Sequence, residues 1–355
     1  MDIWRGELQR EPVPEALYRM LQYHMGWADE KGDLLADPVS QGKALRPTLC
    51  LFTGEALSEA RPGPSTSPSL SSGLRLRTGH SQRDWARALP AAAALELIHN
   101  FSLIHDDIQD GDVERRHRPT VWALWGQPQA LVAGNAMRSL ADIATLGLIQ
   151  RGVSQEKALQ TSSLLTKGYV DMIQGQCLDL AFESSLEICL EDYLTMISLK
   201  TGALIWRSME MGALIACDDE DTIQAFANCG RALGLAFQIR DDVLGIWGDE
   251  ATTGKAVGND IRRKKKSFPI VYALEVAQDS DRQKLVDTYS KATLDDQDVQ
   301  DVLTVLDKLE VANYAQHLTR EKADLALREV SRVPLPSWAR QEMEELVEFL
   351  AARQY

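Results

Sequence analysis

The sequence has few cysteines, few aromatic residues and no long apolar run. Five cysteines are odd in number and lack the pair spacing of a zinc site, so they are predicted to be reduced core residues: Cys50, Cys177, Cys189, Cys217 and Cys229. No apolar run reaches the roughly 20 residues that span a bilayer, and the charged N-terminal segment lacks the apolar core of a signal peptide. These absences predict a cytoplasmic protein without a transmembrane segment.

Basic residues are also in the minority. The 355 residues include 52 acidic and 38 basic side chains, which gives a formal net charge of −14. A chain of this charge repels phosphate-rich polymers, so nucleic acid is excluded as a partner. A small anionic ligand would require a local basic cluster or bound cations at its site.

Alternating β-branched patterns are scarce, whereas apolar residues recur every three or four positions along most of the chain. The sequence therefore predicts an all-α fold, with residues 1–355 as one domain. Residues 60–83 break the pattern with three prolines and many serines and glycines. We interpret that stretch as a flexible surface insertion.

Three aspartates lie at the end of a predicted helix that begins near Pro90 and stops at Gly111. Asp106, Asp107 and Asp110 stand where the helix dipole disfavours negative charge, so a cation is needed to neutralise them. Asp106 and Asp110 are one turn apart and can converge on a hard cation. The alternative reading is a solvated acidic helix end.

A second acidic pair, Asp241 and Asp242, closes another long helical run, and Asp249 follows seven residues later. Two aspartate pairs at the ends of separate helices would suit the two walls of one multi-magnesium site. Magnesium usually completes its oxygen coordination with water and substrate phosphate. The acidic clusters therefore indicate a phosphorylated ligand.

Basic residues accompany both acidic clusters, as a phosphorylated ligand requires. Taken singly, each could be a surface residue: Lys43, Arg46, Arg115, Arg116, Lys200, Lys255 and Lys265. His99 lies almost two turns before Asp106, about 10 Å up the same helix. Its alternative reading is a hydrogen-bonded core histidine.

The ordered motifs GKALRP, ELIHNFSLIHDDIQD, RRHRPT, GQCLD, LKTGAL and FQIRDDVLG…GDEATTGKAVGNDIRRKKKSFP resemble those of the trans-isoprenyl diphosphate synthases. The resemblance covers residues of roughly 40 to 275. It implies a bundle of long antiparallel helices around a central cavity, normally as a homodimer. It also implies a cofactor of about three Mg²⁺ ions.

Site residues follow from the resemblance by matching motifs. Asp106, Asp107 and Asp110 would bind magnesium that bridges to an allylic diphosphate, and Asp241 and Asp242 would hold a further ion. The same diphosphate would be contacted by Arg115, Lys200 and Lys265, with Lys255 as a further substrate-binding residue. A separate pocket for isopentenyl diphosphate would be formed by Lys43, Arg46, His99 and Arg116, and Thr201 and Gln238 would lie near the reacting carbons.

The reaction implied is head-to-tail condensation of isopentenyl diphosphate with dimethylallyl, geranyl or farnesyl diphosphate. Clustered Mg²⁺, Lys and Arg would stabilise the departing diphosphate and leave an allylic carbocation. The double bond of isopentenyl diphosphate would attack the cation, and a proton would then be lost.

Three positions differ from the family pattern or select within it. Gly245 stands where the second motif commonly has a third carboxylate, and Asp249 is a hypothetical substitute. Ser102 and Phe101 occupy the chain-length positions, and one aromatic there predicts a C15 or C20 product. Helical projection puts Phe101 about 140° from Asp106, so its role rests on the resemblance.

Three competing interpretations remain at the level of sequence. A class I terpene cyclase uses similar aspartates but does not need isopentenyl diphosphate, so the set Lys43, Arg46, His99 and Arg116 favours elongation. A non-catalytic synthase subunit would be expected to lose aspartates of the first motif, which this chain keeps. A structural helical bundle would leave the paired acids unexplained.

Overall fold

The computed structural model describes residues 15–59 apart from 38, 40, 41 and 43, residues 85–248 and residues 257–352. Lys43, Asp249, Lys255 and the predicted insertion at 60–83 lie outside the described residues. The roles assigned to them stay predictions.

The described residues are predominantly helical, as the apolar periodicity predicts. In chain order the α-helices are α1 (Glu15–His24), α2 (Leu45–Glu59), α3 (Leu89–Asp110), α4 (Val121–Trp125), α5 (Gln127–Gln150), α6 (Gln155–Glu183), α7 (Leu190–Ile197), α8 (Ala203–Ala216), α9 (Glu220–Trp247), α10 (Asn259–Arg262), α11 (Phe268–Val276), α12 (Asp279–Ser290), α13 (Asp296–Lys308), α14 (Val311–Ser331) and α15 (Ser337–Ala352). A 3₁₀ turn (Trp85–Ala88) precedes α3, and a π-helix (Ser198–Gly202) joins α7 to α8.

The strands that the structure describes form one antiparallel hairpin, in which β1 (Glu114–Arg115) pairs with β2 (Arg118–Pro119). The two turn residues, Arg116 and His117, have positive φ angles of 53° and 61°. This left-handed backbone is typical of the tight two-residue turns that suit the twist of a hairpin.

Backbone contacts divide the chain into two compact units. The first unit comprises residues 1–58, 63–165 and 211–216, and the second comprises residues 59–62, 166–210 and 217–355. Chain continuity through α6 and α8 links them. The single domain predicted from the sequence stays a prediction.

In the first unit, α3 packs along α5. Small side chains allow the close approach: α3 buries Ala91 and Ala94, and α5 buries Ala130 and Ala133. α3 has a proline in its first turn and ends at Gly111, whose φ is 67° and whose N–H donates to the Asp107 carbonyl. The predicted start and end of the helix are confirmed, because proline and glycine carry the boundary information locally.

In the second unit, α9 packs along α14. Asp219 caps the start of α9 by accepting a 3.0 Å hydrogen bond from the Thr222 N–H. The rings of Tyr272 and Tyr314 stack with centroids 4.0 Å apart, so α11 is fastened to α14. The helix predicted to close at the second aspartate pair is confirmed and continues one turn further, to Trp247.

The prediction that all five cysteines are core residues is wrong for two of them. Cys50 and Cys229 are buried, whereas Cys177 and Cys189 are exposed. Cys189 lies at the start of α7, where its Sγ accepts from the Asp192 N–H, so a capping role outweighs burial. All five have free thiols.

Among the helices described, none combines the length and the apolar character that a membrane span requires.

Candidate active site

In the first unit, the end of α3 holds the first aspartate motif in three different environments. Asp107 is 1% exposed, Asp106 is half-buried and Asp110 is exposed. Arg115 Nε donates to Asp107 Oδ1 at 2.7 Å. Burial raises the pKa of Asp107 to about 6, and the neighbouring Arg115 offsets that rise only in part. The ion pair therefore joins the acidic helix end to the basic hairpin.

The hairpin presents its first two arginines to different neighbours. Arg115 reaches Asp107, while the guanidinium of Arg116 lies against Gly42: a Cβ added there would be 3.0 Å from Arg116 Nη2. Gly42 has a φ of 93°, which favours glycine. The GKALRP and RRHRPT motifs are thus brought together within one unit.

Arg118 anchors the hairpin to α1 and the residues after it. Its Nη1 donates to the Tyr23 carbonyl at 3.1 Å, and its Nη2 donates to the Ala28 carbonyl at 3.0 Å. The Tyr23 hydroxyl returns a 2.9 Å bond to the Pro119 carbonyl. These bonds fix the position of the turn that carries Arg116.

Arg46, His99 and Arg116 form a basic cluster with few acidic neighbours. Burial lowers the pKa of Arg46 to about 10, and Glu96 counteracts this only partly. The pKa of His99 is lowered by burial and then by Arg46 and Arg116. Arg46 Nε is buried without a hydrogen-bond partner. A guanidinium with a buried, unsatisfied donor is unfavourable unless an anion joins it, so the cluster has the properties of an anion site.

A small cavity of about 30 Å³ lies beside this cluster; its lining includes Tyr23, His24, Asp107 and the three hairpin arginines 115, 116 and 118. His24 Nε2 is buried and has no hydrogen-bond partner. Burial, followed by repulsion from Arg115 and Arg116, lowers the pKa of His24 to about 3. The ring is therefore neutral at neutral pH.

The two predicted chain-length residues also lie on α3. Phe101 is buried, and its ring meets that of His105 edge-on with centroids 4.8 Å apart. The Ser102 hydroxyl donates to the His99 carbonyl at 2.8 Å. Phe101 therefore belongs to the packed side of α3, and Ser102 bonds back onto its own helix.

In the second unit, Lys200 and Thr201 lie on the π-helix. A Cβ added at Gly175 of α6 would be 2.2 Å from the backbone nitrogen of Lys200. One added at Gly234 of α9 would be 2.7 Å from Gly202 Cα. Glycines on both neighbouring helices thus admit the wider π-helical turn, a feature frequent at functional sites. Lys200 Nζ pairs with the carboxylate of Asp179.

A chain of side-chain hydrogen bonds runs from the π-helix to the second aspartate motif. The Thr201 hydroxyl donates to Gln238 Oε1 at 2.7 Å, and Gln238 Nε2 donates to Asp242 Oδ1 at 2.9 Å. Asp242 Oδ2 accepts from the Tyr193 hydroxyl and, at 2.9 Å, from the Phe268 N–H. Asp242 is 0% exposed. Burial raises its pKa, and Lys265 and these donors oppose that rise.

Asp241 differs from Asp242 because it is exposed. Lys265 Nζ lies 3.6 Å from Asp242 Oδ1 and 3.7 Å from Asp260 Oδ2. Of the two motif aspartates, Asp241 is accessible to a ligand, while Asp242 is fully engaged by protein donors.

The acidic side chains suit magnesium by their chemistry. Within the ranges the structure describes, no three His, Cys, Asp or Glu side chains converge closely enough to hold a metal ion by themselves. Asp106 and Asp110 are nevertheless hard oxygen donors one turn apart. Magnesium commonly uses one or two carboxylates and completes its shell with water and substrate phosphate, so these residues fit it.

Sequence patterns missed several contributors to these sites. His24 and Tyr193 lie outside the motifs and contact or adjoin motif residues, while Asp179 and Asp260 lie inside two motifs but were not predicted as site residues. Tyr193 and Asp242, for example, are 49 residues apart. No spacing rule links such positions. For Asp179 and Asp260, the local signal was their place inside the quoted motifs.

Comparison with known proteins identifies the family. The family model described as polyprenyl synthetase matches residues 32–306. The (2E,6E)-farnesyl diphosphate synthase of Mycobacterium tuberculosis is 36% identical over 340 residues, which cover 94% of this chain and 86% of that protein. The geranylfarnesyl diphosphate synthase of Aeropyrum pernix is 34% identical, with 82% and 84% covered.

Among solved structures, the geranylgeranyl pyrophosphate synthetase of Pyrococcus horikoshii matches with a TM-score of 0.80 and 33% identity. The alignment covers 98% of this chain and 93% of that one. The predicted all-α isoprenoid synthase fold is thereby confirmed, and neither the cyclase nor the non-catalytic interpretation is favoured. The chain belongs to the polyprenyl synthetase family and is a short-chain trans-prenyltransferase.

Proposed function

We propose that the protein condenses isopentenyl diphosphate with an allylic diphosphate, in a magnesium-dependent reaction, to a C15 or C20 prenyl diphosphate. The observation that carries this proposal is the pairing within the first unit of an acidic helix end with a basic cluster in which Arg46 Nε is buried and unpartnered. The Arg115–Asp107 ion pair joins the two. An acidic site for metal-bound diphosphate beside a metal-free anion site is what two diphosphate substrates require.

The basic cluster would hold isopentenyl diphosphate. Arg46 has a buried, unpartnered Nε, and Arg116 lies against the backbone of Gly42. Arginine binds phosphate oxygens through a planar fork of donors, which also fixes the orientation of the ligand. His99 and Lys43, the latter outside the described residues, are assigned to the same pocket.

The allylic diphosphate would be held by Arg115, Lys200 and Lys265. These residues neutralise charge on the departing diphosphate. Because they already bind the diphosphate in the substrate, they are in position to stabilise the transition state. The side chains of Thr201 and Gln238, which share a 2.7 Å hydrogen bond, would line the path of the reacting carbons. That hydrogen bond fixes the orientation of the hydroxyl and amide dipoles. Lys255 is assigned to the same substrate.

Magnesium would be held by Asp106, Asp110 and Asp241. Asp107 would contribute indirectly, by positioning Arg115 through their ion pair. When bound, about three Mg²⁺ ions would supply Lewis-acid stabilisation of the leaving diphosphate. Asp242 was predicted as a further ligand. Because both its oxygens accept protein hydrogen bonds, we assign it to positioning Gln238 and Lys265 instead. Asp249 keeps its hypothetical place as an extra ligand.

The decisive experiment incubates the purified protein with Mg²⁺, isopentenyl diphosphate and dimethylallyl, geranyl or farnesyl diphosphate in turn. Mass analysis should find a C15 or C20 diphosphate, and chelation by EDTA should abolish it. A hydrocarbon or alcohol formed without isopentenyl diphosphate would contradict the proposal and indicate a cyclase.

The assignment of the first motif is tested by Asp106→Asn, which removes the charge and keeps the shape. Losing one metal-binding carboxylate should lower kcat/KM about 100-fold or more. Asp324→Asn is the matched control, because Asp324 pairs with Arg320 on the surface of α14. Equal activity of the two variants would refute the assignment.

We also propose a homodimer formed through α5. This helix exposes five large apolar side chains to solvent: Leu131, Val132, Ile143, Leu146 and Ile149. An exposed apolar stripe of this kind marks a surface that a partner covers, and two copies of α5 would bury it by twofold symmetry. A cytoplasmic location completes the proposal.

A further inference from the structure

The second aspartate motif of this chain reads DDVLG, and the space at Gly245 is filled by another residue. A Cβ added at Gly245 would lie 2.2 Å from Asp260 Oδ2 and 2.6 Å from Asp260 Cγ. Real Cβ contacts essentially never fall below 3.0 Å. The carboxylate of Asp260 therefore occupies the position where a side chain at 245 would begin, so any residue larger than glycine would require that carboxylate to move.

Asp260 is held firmly in this place. The residue is 7% exposed and lies in the first turn of α10. Its backbone carbonyl accepts a 2.9 Å hydrogen bond from the Lys265 N–H, which closes the loop between the two residues. The loop includes Lys264, whose φ is 54°. The short span from 260 to 265 therefore has a defined geometry.

Asp260 and Asp242 hold the same ammonium group from two sides. Lys265 Nζ lies 3.7 Å from Asp260 Oδ2 and 3.6 Å from Asp242 Oδ1, while the Lys265 side chain is 44% exposed. Desolvation alone would lower the pKa of Lys265, but the attraction of Asp242 and then Asp260 outweighs it and raises the pKa. The ammonium is charged, restrained and open to an incoming anion.

Both carboxylates are needed to hold the Lys265 side chain in one position. Asp242 is fixed by Tyr193, by Gln238 and by the Phe268 N–H. A lysine with one carboxylate neighbour keeps several rotamers, whereas two neighbours on different helices restrict it to one region.

We propose that Asp260 is a positioning residue for Lys265, and that beside α9 it takes the place of the third carboxylate that the motif lacks at Gly245. This inference rests on the proposed function, in which Lys265 binds the allylic diphosphate. It assigns the missing acidic group to a residue 15 positions further along the chain.

The test compares four proteins: wild type, Asp260→Asn, Gly245→Asp, and the double variant Gly245→Asp/Asp260→Gly. Titration calorimetry measures binding of inorganic pyrophosphate with Mg²⁺, which needs no turnover. Asp260→Asn should weaken this binding about tenfold, as expected when one of the two carboxylates that pair with Lys265 loses its charge. It should raise KM for the allylic diphosphate by a similar factor and leave KM for isopentenyl diphosphate within about twofold.

The swap of the carboxylate between positions is the more specific readout. Gly245→Asp alone should lose pyrophosphate affinity, because two carboxylates then compete for one space. The double variant should recover most of the pyrophosphate affinity. Two substitutions that only reduced stability would not restore binding. Asp296→Asn is the control: Asp296 pairs with Arg262 of the same short helix, but at the surface.

Each outcome decides the inference. Equal pyrophosphate affinity in Asp260→Asn and Asp296→Asn would overturn it. If Asp260→Asn does not fold, the double variant decides, and no recovery over Gly245→Asp would overturn it. A wild type that binds pyrophosphate but forms no prenyl diphosphate would refute the proposed function instead, so the two failures are distinguishable.

Discussion

Hydrogen bonds between side chains hold the motif residues of the first unit in place. Asn100 Nδ2 donates to the Glu96 carbonyl and to Glu96 Oε1, and the Asn100 side chain also bonds to the ring of His24. This relay connects α3 to α1 beside the basic cluster. Buried polar groups that are hydrogen-bonded to one another favour one arrangement over others.

His24 should make the stability of the ligand-free protein depend on pH. Its folded-state pKa is about 3 against an ordinary value of 6.5. Below pH 6.5 the unfolded chain binds a proton that the folded protein does not, so stability present at neutral pH is lost as the pH falls. Between pH 7 and 5 the loss from this residue is about 2 kcal/mol.

Urea unfolding of wild type and His24→Gln at pH 7 and pH 5 measures this effect. The variant should lose about 2 kcal/mol less than wild type over this range. His317→Gln, at an exposed position of α14, should behave like wild type. Parallel losses in wild type and His24→Gln would show that His24 does not carry the effect.

Phe101 tests the predicted control of chain length. Phe101→Ala should lengthen the product, because it removes a buried ring four places after Leu97 on the packed side of α3. The cavity should also lower the free energy of unfolding by about 3 kcal/mol. Product mass is the measurement, and Phe101→Leu, which keeps most of the volume, is the control. An unchanged product in Phe101→Ala would count against the role.

At the scale of elements, glycines decide how closely the helices of the second unit approach. Gly175 faces the backbone of Lys200, and Gly234 faces Gly202. Both contacts are backbone to backbone, so a side chain at either glycine cannot be accommodated by a rotamer change. The π-helix therefore depends on its neighbours for its position.

Gly175→Ala should displace the π-helix and with it the Lys200–Asp179 pair. We expect a loss of about 1–3 kcal/mol in the free energy of unfolding, typical of overpacking, and weaker binding of the allylic diphosphate. Gln174→Ala changes an exposed neighbour on the same helix and serves as the control. Thermal unfolding and pyrophosphate titration measure the two effects. Wild-type behaviour of Gly175→Ala would contradict the close contact.

At the scale of the whole molecule, the exposed apolar side chains of α5 predict self-association. Ile143 and Leu146 are 55% and 63% exposed and lie one turn apart. Ile143→Glu/Leu146→Glu should convert a dimer to a monomer, because a dimer interface would bury two charges per chain without partners. Light scattering after size-exclusion chromatography measures the mass.

Thr304→Glu, at an exposed position of α13, is the control for added charge and should leave the mass unchanged. A wild-type protein that is monomeric at micromolar concentration would contradict the proposed dimer. A dimer that survives both glutamates would place the interface elsewhere.

The sequence by itself determined the all-α fold, the bounds of α3 and the family. These features depend on helical periodicity, on proline and glycine at helix ends, and on motif order, all of which are encoded by neighbouring residues. It also identified the acidic and basic motif residues. The burial and hydrogen-bond partners of these residues could not be predicted, because nothing in the sequence distinguishes Asp106, Asp107, Asp241 and Asp242 from one another.

Only the tertiary structure decided which of these residues are buried and what holds them. It distinguishes exposed Asp241 from Asp242, whose oxygens are occupied by Tyr193 and other donors. It also brings Asp260 against Gly245. The physical reason is that such contacts join residues far apart in the chain, and their formation depends on how helices pack, which no local spacing encodes.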